Sequence, residues 1–220
     1  MPGSIKALRL YNLLLGGGLT GAQLGEELAD PLSAGAFEAI LRQRIVGASL
    51  RASPVAMTPI VGSPAALSAI LRQNDGTWMT SIAASSSVMA TMLASSSARA
   101  AFYNSDVALA AIAASATATT AMRSAPTYAF LSVTCISADT QVSIASVTGN
   151  CLMVGWSCSS LGNVTLTGRR IGSTVGSLVA ASGTITGATA GFNNAMAITS
   201  PATVKVAEAS RIVYFGIVPV

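Results

Sequence analysis

The chain has 220 residues, enough for one large domain or two small ones with their own cores. Only 9% of residues are charged and 5% aromatic, with a formal charge of +4 and a mean hydropathy of +0.62, which is neither a disordered nor a membrane profile. Histidine is absent, so a Ser-His-Asp triad, a Cys-His pair and a histidine-ligated metal are all excluded.

In chain order, "SIKALRLYNLLL" (4–15) predicts a helix capped by Ser4 and stopped by "GGG". Its Lys6, Arg9 and Leu13 to Leu15 imitate a secretory signal. Arg9, Tyr11 and Asn12 interrupt the apolar block, and no secretory leader is expected. Thr20 predicts a cap for a short helix running to Leu28. Asp30-Pro31 then opens a helix expected over 31–50, with Leu32, Phe37, Ile40, Leu41 and Ile45 at helical spacing and Arg42, Arg44 and Arg51 near its end.

From residue 53 the chain counts in tens: SPVAMTPIVG, SPAALSAILRQ, NDGTWMTSIAA, SSSVMATMLA, SSSARAAFYN, SDVALAAIAA and SATATTAMRS, ending at residue 124. Each unit opens with Ser or Asn, whose side-chain oxygen can accept a free N–H of a first helical turn. Pro54, Pro64, Asp75 and Asp106 follow, residues suited to that turn. Met57, Leu67, Trp78, Met89 and Leu109 form one core position, and Ile60, Ile70, Met92, Phe102, Ile112 and Met122 a second.

One continuous helix would rotate that face by about 80° per unit. Pro59 and the repeated caps oppose continuity as well. Each unit therefore reads as a helix of about two turns, a tight turn and the next cap, too short to stand alone and obliged to stack as a small α-solenoid or against other chains. Arg99 and Thr119 replace the first core residue in two units, whose faces are expected to meet solvent or a partner chain.

After Pro126 the texture becomes Val, Ile, Thr, Ser and Gly in short alternating runs. Strands are predicted near 128–136, 140–148, 151–157, 163–167, 174–180, 183–188, 195–199, 202–207 and 211–218, with glycines between them as turns. The fold class is thus α+β multidomain. It comprises an N-terminal helical attachment or capping region (1–52), a short-helix decapeptide repeat region (53–125) and a C-terminal antiparallel β-sandwich, jelly-roll-like (126–220). The apolar "RIVYFGIVPV" should be a central or intersubunit strand, with Pro219 beyond the point where ladder bonds are needed.

Chemistry is sparse. Cys135, Cys151 and Cys158 match no zinc spacing, and their odd number points to reduced, buried thiols made in a cytoplasm. The eight carboxylates include only Asp139 and Glu208 in the last third, a poor basis for paired-carboxylate hydrolysis. Arg169-Arg170 is the only adjacent basic pair, and no basic stripe with stacking aromatics suggests nucleic acid. No catalytic, metal or cofactor residues are assigned, no cofactor is expected, and no segment is long and apolar enough for membrane insertion. Candidate glycan or receptor contacts are Trp156, Asn163, Arg169, Arg170, Asn193 and Asn194. For Trp156, a buried place in "CLMVGWSC" is the favoured alternative, and for the arginine pair a solvated turn.

Taken together, "ALRLYNLLLGGGLTGAQL", "ADP", the Ala/Ser/Met decapeptides and a β domain closing on "VYFGIVPV" resemble virion structural proteins of tailed bacteriophages. The resemblance covers most of the chain in organisation. It implies a non-enzymatic fibre or knob-like subunit, made in the host cytoplasm and placed in the virion. Residues 1–52 would dock on other virion proteins, and the β domain would project, with a host-surface glycan as a candidate contact. A homotrimer is expected, because fibre-like β domains close their edges about a threefold axis. The alternatives are a capsid decoration or adaptor subunit and a carbohydrate-binding adhesin module. An adhesin would need a leader and paired cysteines.

Overall fold

A computed structural model describes residues 2–140, 142–143, 149–158, 163–170, 177–179, 196–206 and 210–220. Its contacts divide the chain into two compact units, Met1–Ala111 and Ile112–Val220. The helices are α1 (Pro2–Leu15), α2 (Gly21–Glu27), α3 (Pro31–Arg42), α4 (Arg44–Arg51), α5 (Pro54–Gly62), α6 (Pro64–Arg72), α7 (Gly76–Ala84), α8 (Ser86–Ala94), α9 (Ser96–Tyr103), α10 (Asp106–Ala113) and α11 (Ala116–Arg123). Among the described residues, no single helix is long and apolar enough to cross a membrane.

The short repeat helices form as their caps predict. Several corners consist of one residue serving two helices. Ser63 ends α5 and starts α6 in extended backbone (φ −103°, ψ 114°). Its N–H donates to the Ile60 carbonyl at 3.3 Å, and its Oγ accepts the Ala66 N–H at 3.3 Å. One serine thus satisfies unpaired backbone groups at both helix ends. Ser85 and Ser95 do the same between α7, α8 and α9.

One cap moves from its expected place. Asp75, not Asn74, caps α7 through the Thr77 N–H at 2.9 Å, while Asn74 adopts the left-handed region (φ 51°) and lengthens the corner. Trp78 consequently falls three residues after its cap, where other units carry Ala or Val, and Met79 fills the place of Met57 and Leu67. Pro59 lies buried inside α5, three residues before its end.

In α5, α7 and α8 the residues three, four, seven and eight after the cap are buried, as in Ala56, Met57, Ile60 and Val61, and the other repeat helices bury at least the third and seventh. Each corner resets this stripe before helical rotation carries it to the surface. The stripes then close a coil in which helices stack three apart: α2 on α5, α3 on α6, α4 on α7, α5 on α8, and α6 on α9. Consecutive helices also meet at several corners, and the axes turn by 91° between α4 and α5. The expected stacking is therefore a three-helix-per-turn coil.

The same coil explains two differences in the first 52 residues. The helix expected over 31–50 is broken at Gln43, which is extended (ψ 116°) and acts as the corner between α3 and α4. Phe37, Ile40 and Leu41 are buried as expected, but Leu32, in the first turn of α3, lies outside that helix's buried set, and Ile45 lies beyond the break on α4, which buries Gly47 and Leu50 instead. α1 packs along α3 and touches α4 and α5, burying Leu10 and Leu14.

The two weak units are not open faces. The Arg99 side chain is half-buried and donates from Nη1 to the Leu93 carbonyl at the end of α8. Thr119 is buried, its hydroxyl donating to the Ser115 and Ala116 carbonyls.

In the second unit, α11 packs against the sheet strand β3 (Cys151–Cys158). The other strands are β1 (Ala129–Cys135), β2 (Val142–Ser143), β4 (Asn163–Arg170), β5 (Ser177–Val179), β6 (Met196–Val206) and β7 (Arg211–Pro219). All described pairings are antiparallel, in the order β1-β7-β3-β6-β4-β5, with β2 also on β6. The described strands thus belong to one small antiparallel sheet. The strand expected over 183–188 lies outside the described residues.

The two strands predicted at 195–199 and 202–207 are one, running through Pro201. On one side of β6, Thr167 faces Thr203 and Arg169 faces Ile198, so the ladder is irregular around Pro201. On the other side, β3 pairing reaches Ile198 and β2 pairing begins at Thr203. Proline is tolerated there because no regular ladder requires its missing N–H.

β7 is central, paired with β1 and β3. Pro219 still lies in register, opposite Cys151. The next residue, Val220, donates its N–H to the Asn150 carbonyl at 2.9 Å. Antiparallel bonding alternates, so the Pro219 nitrogen points to the other edge, where β1 pairing has already ended at Ile217. Val213, Phe215 and Ile217 bury one face of β7, together with Cys135, Cys151 and Met153.

Candidate functional site

The sequence-nominated contacts are all in the second unit. Trp156 stands opposite Phe215 in the β3–β7 register, and Phe215 is buried. Asn163 opens β4 opposite Val179, while Arg169 and Arg170 close it opposite Ile198 and Ala197. Seven residues of extended chain separate Asn163 from Arg170 by about 23 Å. β6 lies between β3 and β4, so Trp156 is not on a strand adjacent to the arginines. By strand position these four thus lie on β3 and at the two ends of β4, and Asn193 and Asn194 lie outside the described residues.

The thiols are structural in character. Cys135 and Cys151 are buried, and burial pushes the Cys151 thiol above its ordinary range, away from the reactive thiolate. Tyr128 is also shifted upward by burial, with the Arg123 charge opposing it, and its ring lies against Gly216. Among the described residues, no group of three or more Cys, Asp or Glu side chains is placed to hold a metal ion.

The distinctive surface is in the first coil of the helical unit. Ile5 is 73% exposed, Leu8 61%, Leu32 61%, Ile45 82% and Val55 54%. The next exposed large apolar side chain among the described residues is Ile136. Residues 56–135 thus keep their large aliphatic groups inside and present mainly Ala, Ser and Thr. Ile5 and Leu8 are three residues apart on α1, so they share a face.

Ion pairs surround these apolar positions. Lys6 binds the Asp30 carboxylate, which also accepts the Leu32 and Ser33 N–H groups as the α3 cap. The Lys6 contact and the Ser33 hydroxyl hold the Asp30 carboxyl at about 2 instead of the ordinary 3.8. Arg9 lies 3.9 Å from Glu27, and Glu38 bridges Arg42 (3.2 Å) on its own helix to Arg72 (3.0 Å) one layer on. The last contact pins α3 to α6.

Sequence reading nominated 1–52 for attachment or capping and set Leu32 and Ile45 at one helical spacing with Phe37, Ile40 and Leu41. The missed signal was Gln43, a polar residue between two short amphipathic runs, "PLSAGAFEAILR" and "RIVGASLR". No protein-family model matches the chain, and neither does any curated protein.

Proposed function

We propose that this chain is a non-enzymatic structural subunit of a tailed-phage virion, a fibre or knob-like protein. It docks on other virion proteins through the first coil and carries its β domain outward as a homotrimer. The observation that supports this reading most is the confinement of exposed large apolar side chains to residues 5–55, with Ile136 the sole other case among the described residues. Exposed large aliphatic side chains concentrated in one stretch of the chain support an interface there, because water-exposed aliphatic area is otherwise selected against.

The finer fold we infer is a β-sandwich in which β6 serves two sheets. The irregular ladders around Pro201 support this reading, since strands that switch sheets do so at bulges and bends. Light scattering of the full-length protein tests the trimer: a monomer would move the reading to a decoration or adaptor subunit. Mass spectrometry of purified particles tests the docking surface. A combined Ile5→Ser, Leu8→Ser and Ile45→Ser variant should be depleted several-fold against the native chain while retaining its circular dichroism. Equal incorporation, or absence of the native chain from particles, overturns the proposal.

A further inference from the structure

We infer that the helical unit is a spacer whose length changes without loss of packing only in steps of three helices, about 30 residues. The stacked contacts join each of α2 to α6 to the third helix after it, along three columns of the coil. Side chains are matched down these columns. Gly21 of α2 meets the Gly62 backbone of α5, where an added Cβ would lie 2.5 Å from a backbone carbon. Gly47 of α4 faces Trp78 of α7, with a would-be Cβ in ordinary contact 3.6 Å from the indole, and Arg51 lies over the same ring at 5.1 Å. Glu38 of α3 binds Arg72 of α6. Gly76 of α7 faces Val107 of α10, again three helices on.

The local signals do not carry this count. Ser85, Ser95 and Ser105 cap their helices alike, each accepting the N–H three residues on. Inserting one such unit or three therefore leaves propensity, capping and corners equally satisfied. The two insertions differ in what the next helix rests on. One added helix moves every later helix into the neighbouring column; three return each to its own.

Two full-length variants separate these cases, one carrying a second copy of residues 85–94 after Ala94, the other a second copy of residues 85–114 after Ala114. The 30-residue insertion should keep a thermal midpoint within about 3 °C of the parent, while the 10-residue insertion should fall by about 10 °C or fail to fold. Small-angle scattering of the longer variant should show growth of roughly one helix layer, 8–10 Å. Equal midpoints for the two insertions, or loss of folding in the 30-residue variant, overturn the inference. It rests on the coil alone and holds or fails independently of the particle assignment.

Discussion

The helical unit and the sheet reach comparable compactness by opposite routes. In the coil, every corner is solved within a few residues, as at Ser63, and the stacking partner lies about 30 residues away. In the sheet, Ala129 pairs with Ile217, so β1 waits for the last strand of the chain. Loop closure makes such distant pairing slow and nucleation costly, whereas the coil can grow layer by layer. The coil also packs backbone on backbone at Gly21 and Gly62, while Gly216 of the sheet is covered by the Tyr128 side chain. Local rules thus build the first unit, and chain-wide pairing builds the second.

The largest expected effect tests whether the coil has a core of its own. Trp78 is fully buried over Gly47, so Trp78→Ala should cost roughly 3–5 kcal/mol. The chain holds two tryptophans, one in each unit, so Trp156 fluorescence then reports the sheet alone during denaturant unfolding, with circular dichroism following the helices. A loss below about 1 kcal/mol in the helical signal would show that this layer is not held by its core.

A smaller effect sharpens the contrast in packing. Gly21→Ala drives a methyl against the Gly62 backbone, and Gly216→Ala drives one against the Tyr128 hydroxyl at 2.6 Å. A side chain yields more readily than a stacked helix. Gly21→Ala should therefore cost about 2–3 kcal/mol and Gly216→Ala about 1, by denaturant melts. Equal costs would contradict the distinction between backbone and side-chain packing.

The smallest effect is electrostatic and belongs to the coil. Asp30 has its folded pKa lowered from 3.8 to about 2 by Lys6 and Ser33. A lowered carboxyl pKa contributes stability above about pH 4 and loses it as the pH falls toward 2. The helical midpoint should decline across that window, and Asp30→Asn should flatten the decline. An unchanged slope in the variant would assign acid sensitivity to other groups. The group is solvent-accessible, so screening keeps the effect small.

Particular residues show how much was legible beforehand. The caps Ser53, Ser63, Ser85, Ser95 and Ser115 were readable because an N-cap is a local hydrogen bond, and the paired core positions were readable from their spacing. Asn74 misled because either residue of Asn74-Asp75 can cap, and the choice depends on where the following helix must lie. Gln43 was missed because a helical stripe extends through it in sequence, while the coil requires a corner there. The exposed surface of Ile5, Leu8, Leu32, Ile45 and Val55 was hidden for a related reason: which apolar residues remain outside is known only after the stripes have chosen partners.

By itself, the amino-acid order determined short capped helices of ten-residue period, a change to strands after Pro126 and an apolar last strand, because each depends on dihedral preference and hydrogen bonds within one or two turns. Tertiary structure alone decided that three helices make one turn of the coil, that β6 runs through Pro201, and that Ile5, Leu8, Leu32, Ile45 and Val55 stay exposed. Those outcomes are set by competition among surfaces of similar composition, which only packing in three dimensions can resolve.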